Sequence, residues 1–321
     1  MYSNITDTYF LIDDFVIYKR TLGYKYDSEY RVINTFKRHV LEAPNKNITT
    51  LNKQLIDGWC ELRISESRKS QSNRICILRQ LAIYLTNKGY SIHMPRSIYN
   101  YVNKAFVPYI FTIAEMDQIF KTLDNLPNYA WSNSSTLYPV LFRMLYGCGL
   151  RIGEALELRI EDINLKTGVV IIRNSKNDKS RLVMMSESLK KICINYKNKN
   201  LSNSTTGDFF FPNKIGKKRG GSQISSYFKE ILWKSGITYS GRNKGPRVHD
   251  IRHTFCCHTL KRMLDNGTDM YCSLPILSTY LGHSGIKATE KYLRLTQSIF
   301  PEINLKINGY TSNIYPEVYH E

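Results

Sequence analysis

Acidic residues are scarce in this sequence, and so is any paired cysteine motif. Asp and Glu number 27 in 321 residues against 45 Lys and Arg, a formal net charge of +18. Solubility does not need so large an excess. It is the usual footprint of a polyanionic partner, most often nucleic acid. The 7 cysteines form no C-x-x-C pair, although Cys256 and Cys257 are adjacent. That argues against a zinc knuckle and against a disulfide framework, so reduced thiols and a cytoplasmic location are expected. No stretch approaches the ~20 apolar residues that would span a bilayer. The start, Met1-Tyr2-Ser3-Asn4, lacks the basic stretch and apolar core of a signal peptide. There is no G-x-x-x-x-G-K-[ST] loop to cradle a nucleotide, and no carboxylate pairing near the motifs below that would hold two metals. The chain is therefore expected to work with neither cofactor nor metal.

What is there is length enough for two domains, with 42% apolar and 22% charged residues, as in a folded soluble protein. Residues 1–110 carry 16 basic and 9 acidic side chains and the remainder 29 and 18, so both halves are basic. A neutral body with a basic tail is excluded.

Residues 5–89 read as four helices. The first, from about Asp7, presents Phe10, Leu11, Phe15 and Tyr18 and stops near Gly23. The second follows Asp27-Ser28 with Ile33, Phe36 and Val40. The third starts at Thr49-Thr50 with Leu51, Leu55, Trp59 and Leu62. The fourth starts near Ser70 with Ile75, Leu78, Leu81 and Leu85, and ends at Gly89. A connector with Pro95 and Pro108 follows. Thr112-Ile113-Ala114-Glu115 then fits a capping box, and an apolar helix runs from about Thr136 to Tyr146. Two apolar runs, 168–172 and 181–185, flank the polar segment 174–180 as a β-hairpin. Helices resume at 186–197, 221–235, 250–265 and 274–281. The fold class expected is mainly α with a small antiparallel β-sheet.

Several residues could carry chemistry, though each alone has an ordinary explanation. Arg151 could be a surface Arg paired with Glu154. Lys176 sits where a hairpin turn exposes lysine anyway. His249 and Arg252, in Val248-His249-Asp250-Ile251-Arg252-His253, could form a self-satisfied helix start. His283, in Leu281-Gly282-His283-Ser284, could be a C-cap, and Tyr292 is one of 23 tyrosines. The ordered set is far more specific. Arg252 follows Arg151 by 101 residues, and Tyr292 follows His283 by nine. The set resembles the tyrosine recombinase (phage integrase) family, whose catalytic domain carries Arg–Lys–His–Arg–His/Trp–Tyr in that order. The resemblance covers about Thr112 to Leu295 and extends weakly to the helices of 5–89. Gly153 stands where the family often has Ser or Ala, with no chemical consequence expected.

The resemblance implies a helical core-binding domain with linker (1–107), a catalytic domain of the DNA breaking–rejoining fold (108–297), and a tail (298–321) that contacts a neighbouring protomer. It also implies that Tyr292 attacks a phosphodiester, forming a 3′-phosphotyrosyl link and releasing a 5′-hydroxyl. Arg151 and Arg252 suit the charge that develops on the nonbridging oxygens, because guanidinium groups stay protonated and bind through two parallel hydrogen bonds. His249 and His283 add hydrogen bonds, and His249 is placed to accept the phenolic proton. Nearby cations should lower the phenol's pKa. Lys176 is expected to protonate the leaving oxygen, with Lys179 as its rival, and Glu154 to orient Arg151.

Basic residues elsewhere are candidate phosphate contacts: Arg68, Lys69, Arg74 and Arg79 at the fourth helix, Lys217, Lys218 and Arg219 in a Gly-rich loop, and Arg242 and Arg247 before the His-x-x-Arg box. The expected partners are double-stranded DNA at specific sites and three further copies in a tetramer, with an accessory directionality protein and no membrane. The role expected is integrase/excisionase of a mobile element. A Xer-type chromosome or plasmid dimer resolvase and a non-catalytic DNA-binding relative are the alternatives.

Overall fold

The computed structural model describes residues 5–42, 51–98, 107–129, 132–173, 180–238 and 245–283, together with 289, 291, 292, 295, 296 and 300. The chain divides into two compact units, Met1–Phe106 and Val107–Glu321.

The first unit holds α1 (Ile5–Thr21), α2 (Asp27–Glu42), α3 (Lys53–Cys60) and α4 (Arg68–Asn87). The Asn52 side chain caps α3 by accepting from the Leu55 amide, and the Ser67 side chain caps α4 by accepting from the Ser70 amide. Apolar residues from all four helices close one core, in which the Phe36 and Trp59 rings meet edge-on at 5.2 Å. The predicted inward residues of α2 and α4 are buried. Those of α1 are not all so: Ile12, Phe15 and Val16 face the core, while Phe10 and Tyr18 are exposed. Apolar side chains occupy nearly every rotational position of α1, so neighbouring helices decide which stripe is covered. Leu62, assigned inward, lies beyond the end of α3 and is exposed.

Arg74 is a further correction. Read as a phosphate contact, it is buried. Its Nη2 donates to Glu66 Oε2 at 2.8 Å and to the Glu61 carbonyl at 2.9 Å, its Nη1 to the Trp59 carbonyl, and its guanidinium lies 4.5 Å from the Trp59 ring. With its donors spent inside the unit, it braces the α3–α4 connection. Arg68 and Lys69, one turn earlier, are exposed. Arg74→Ala is therefore expected to destabilise by about 3 kcal/mol, as loss of one partner of a buried ion pair does. Arg68→Ala with Lys69→Ala should leave the melting temperature unchanged and flatten the slope of log K against log salt for DNA binding by about 2. If Arg74→Ala instead keeps its stability and loses salt dependence, the assignment is reversed.

The second unit opens with α5 (Ile113–Asp124), where Thr112 and Glu115 form the expected capping box. α6 (Ser134–Gly147) runs through the centre of the core, with Leu137, Leu141, Phe142 and Leu145 buried. The short α7 (Ile152–Glu157) follows, and a 3₁₀ turn at Ile160–Asp162 leads into the sheet. The sheet contains β1 (Ile163–Asn164), β2 (Val169–Ile172) and β3 (Arg181–Met184), antiparallel in the order β1-β2-β3, with Val170 opposite Val183. Val170, Ile172 and Val183 point into the core, as the period of two requires. The helices α8 (Glu187–Asn200), α9 (Gly221–Lys234), α10 (Val248–Asp265) and α11 (Met270–Leu281) complete the unit. Neither β1 nor α7 was anticipated. A two-residue strand and a six-residue helix carry too few periods to show in a sequence.

Candidate active site

Three chain turns bring the candidate residues together. Gly149, at φ +60°, ends the α6 connection. A Cβ there would come within 2.4 Å of the Phe255 ring, so only glycine lets the chain pass so close to α10. Arg151 follows at the N-terminus of α7. Its amide donates to Glu154 Oε2 at 2.8 Å and its Nη1 to Glu154 Oε1 at 2.7 Å. The start of α10 supplies His249, Arg252 and His253, separated by three and four residues so that all lie within one turn. The turn after α11, with Gly282 at φ +65°, supplies His283.

Arg252 is the anchor of the group. It is 2% exposed, and it donates from Nη1 to the Gly149 carbonyl at 2.7 Å and from Nη2 to the Leu281 carbonyl at 2.7 Å. Its Nη2 also lies 3.3 Å from His283 Nε2, and Nη1 lies 3.7 Å from Glu154 Oε2. One guanidinium thus ties the turn before Arg151 to the turn carrying His283. His283 Nδ1 is hydrogen-bonded to Thr289 Oγ1 at 2.8 Å, which fixes the ring orientation. The rings of His283 and Tyr292 stack with centroids 6.1 Å apart.

Tyr292 is 1% exposed, and its hydroxyl is hydrogen-bonded to His253 Nδ1 at 2.9 Å. In this geometry the residue in contact with the phenol is His253. One expectation is corrected here. The phenol's pKa is raised, not lowered: burial pushes it up first, neighbouring Cys256 adds to this, and Arg252 opposes it only in part. The phenol is thus enclosed within its own unit.

Burial and surrounding cations also act on the histidines. His249 keeps solvent access, yet the protein mass around its ring and the charges of Arg252 and Arg151 lower its pKa to about 4. The same causes lower His283 to about 4, and burial followed by neighbouring His249 lowers His253 to about 3. All three are neutral at pH 7. Unfolded histidine titrates near 6.5, so as the pH falls the unfolded chain gains protons that the folded chain refuses. The resulting stability is complete above about pH 6.5 and is lost progressively toward pH 4. The melting temperature should therefore fall across that window, and His253→Gln should flatten the fall. Parallel profiles for the two proteins would remove His253 from this account.

Five predicted residues, Arg151, His249, Arg252, His283 and Tyr292, thus come together, with Glu154 beneath the two arginines. Lys176, Lys179 and Arg242 lie outside the described residues, as does the tail apart from Phe300, which packs against its own unit. Among the other candidate DNA contacts, Lys217 and Arg247 are exposed, and exposed Lys218 pairs with Glu157. Arg219 is half-buried, and its Nη2 donates to Asn133 Oδ1 and to the Pro212 carbonyl, so it braces its loop. Arg79 is also half-buried and donates to the Pro95 carbonyl. Sequence reasoning missed Arg181, His253 and Thr289. The one available signal was that His253 stands four residues after His249, hence on the same helix face. Among the described residues no three His, Cys, Asp or Glu side chains are grouped as metal ligands, and no helix is long and apolar enough to cross a membrane.

Residues 110–298 match the phage integrase family. The chain belongs to that family. It is accordingly a tyrosine recombinase, one of a class of site-specific DNA strand-transferring enzymes. It is similar to the integrase/recombinase y4rB of Sinorhizobium fredii, 27% identical over 91% of this chain and 94% of the relative. It is similar also to tyrosine recombinase XerD of Staphylococcus epidermidis, 25% identical over 84% and 86%. Two solved structures share the recombinase fold at a TM-score of 0.62. One is XerH recombinase bound to a palindromic difH substrate (18% identity, 85% of this chain and 77% of that one). The other is the Tn1549 transposon integrase with a circular intermediate DNA (17% identity, 88% and 94%).

Proposed function

We propose that this tyrosine recombinase is the integrase/excisionase of a mobile element, cutting and rejoining two duplex sites through a covalent link at Tyr292. The observation carrying the chemistry is that Arg252 ties the turn before Arg151 to the turn carrying His283, whose ring stacks on Tyr292. The Tyr292 hydroxyl oxygen attacks phosphorus. The phenolic proton passes to His249, the 3′-phosphotyrosyl bond forms, and the bond to the 5′-oxygen breaks. Arg151 and Arg252 hold the two nonbridging oxygens, whose negative charge grows in the transition state. Lys176 delivers the proton that the departing 5′-alkoxide needs. The link conserves the energy of the broken phosphodiester, so rejoining to another strand needs no nucleotide. The first unit, with Arg68 and Lys69 exposed, serves as the core DNA-binding domain. Four copies assemble on two sites, coupled through residues 298–321, with an accessory protein setting direction.

The chain is similar both to integrase/recombinase y4rB and to tyrosine recombinase XerD, so experiment separates the mobile-element role from dimer resolution. The test is covalent capture. Purified protein is mixed with fragmented DNA of its own genome and denatured, and the attached fragments are sequenced. Inverted core sites at the two boundaries of one genomic segment are expected. Capture at a single chromosomal site, with no second boundary, would instead establish the resolvase role. Sequence-specific binding without any covalent product would leave the non-catalytic alternative.

A further inference from the structure

Arg181, the first residue of β3, belongs to none of the motifs that carry the chemistry, yet its side chain is one of the most engaged in the second unit. Nη1 donates to Glu154 Oε1 at 2.9 Å and Nη2 to Glu154 Oε2 at 2.7 Å, a two-bond fork, while Nε donates to the Tyr280 carbonyl at 3.0 Å. The Arg181 and Glu154 side chains are 9% and 8% exposed. Its Nε, Nη1 and Nη2 are all spent on Glu154 and the Tyr280 carbonyl. Its role lies in what it holds.

What it holds is the base of the oxyanion-binding pair. Glu154 Oε1 also accepts from Arg151, and Oε2 accepts from the Arg151 amide and lies 3.7 Å from Arg252. Burial alone would raise the carboxyl's pKa, but the hydrogen bonds from Arg181 and the Arg151 amide hold it at about 2. Three guanidinium groups against one carboxylate leave an excess of two positive charges, matched to a phosphodiester whose charge grows on attack. Without Arg181, Glu154 would be free to turn fully toward Arg151 and neutralise the group that should face DNA. Arg181 also touches the turn that presents His283: a Cβ on Gly282 would lie 3.0 Å from Arg181 Cδ and 3.3 Å from Nη1. Sheet, α7 and the α11 turn therefore meet on this one side chain.

We infer that Arg181 is a positioning residue for strand cleavage: by clamping Glu154 and packing under Gly282, it sets Arg151, Arg252 and His283 toward the scissile phosphate without touching it. This rests on the recombinase chemistry proposed above. Lysine cannot reproduce the role, because an ammonium group cannot form the planar fork and the Tyr280 bond together.

The test compares wild type, Arg181→Ala and Arg181→Lys on a duplex recovered by covalent capture, reading the rate of adduct formation. A second substrate carries a methylphosphonate at the scissile position, where a methyl group replaces one charged oxygen and the demand for guanidinium is lower. On ordinary DNA, Arg181→Ala should lose about 10²-fold, the scale of a lost oxyanion donor, with duplex affinity within a few-fold of wild type. Arg181→Lys, which keeps the charge and the fold, should fall between. On the methylphosphonate the gap to wild type should narrow by tenfold or more for both variants, a rescue that loss of folding alone would not show. An equal loss on both substrates, or no loss, overturns the inference. Failure of wild type itself to form any adduct would overturn the chemistry beneath it as well.

Discussion

Tyr292→Phe is expected to bind its duplex as tightly as wild type and to form no covalent protein–DNA product. The phenylalanine ring fits the buried site that the tyrosine ring occupies between His253 and His283. Folding should lose only the hydroxyl's bond to His253, about 1 kcal/mol. Covalent chemistry has no substitute for the missing oxygen, and deleting the nucleophile of a covalent enzyme costs on the order of 10⁶ in rate. The measurement is a denaturing gel of protein and labelled duplex, in which adduct should fall below detection. An undiminished adduct band would mean that another side chain attacks. Loss of DNA binding would mean that the ring supports the fold more than its burial suggests.

Lys176→Ala is expected to cut cleavage of ordinary DNA by about 10²- to 10⁴-fold, the range for a lost general acid. The reason lies in the leaving group. A 5′-alkoxide departs badly unless protonated, whereas a thiolate, whose conjugate acid is several units stronger, departs readily. The same variant should therefore cleave DNA with a 5′-bridging sulfur at close to the wild-type rate. Arg151→Ala should gain nothing from sulfur, since the nonbridging charge it faces is unchanged. Lys179→Ala is the control. If sulfur rescues Lys179→Ala and leaves Lys176→Ala impaired, the acid lies three residues further along the sequence.

These expectations draw on two kinds of information. Much of the helical scaffold was legible because it is local. The four helices of the first unit, the Thr112–Glu115 cap and the strand pair Val169–Ile172 and Arg181–Met184 each follow from periodicity and capping within a few residues. The set of five site residues was legible for another reason. Phosphoryl transfer restricts which side chains can serve, and their order along the chain resembles the family's pattern.

What folding decided is which groups meet across long separations, and which charge faces inward. Arg74 and Arg68 are both basic residues of one helix, yet one is spent on Glu66 and two carbonyls while the other is exposed. Only the packing of α3 against α4 separates them. Arg181 reaches Glu154 across 27 residues and Tyr280 across 99, so no window of sequence contains that clamp. The enclosure of Tyr292 is also a tertiary effect. Composition supplied cations that would lower a phenol's pKa, but burial against α10 raised it, because removing the phenolate from water outweighs the attraction of Arg252. The sequence by itself determined the chemistry available. Its tertiary structure decided which groups meet and that Tyr292 is buried, because burial and long-range pairing arise only when distant segments pack.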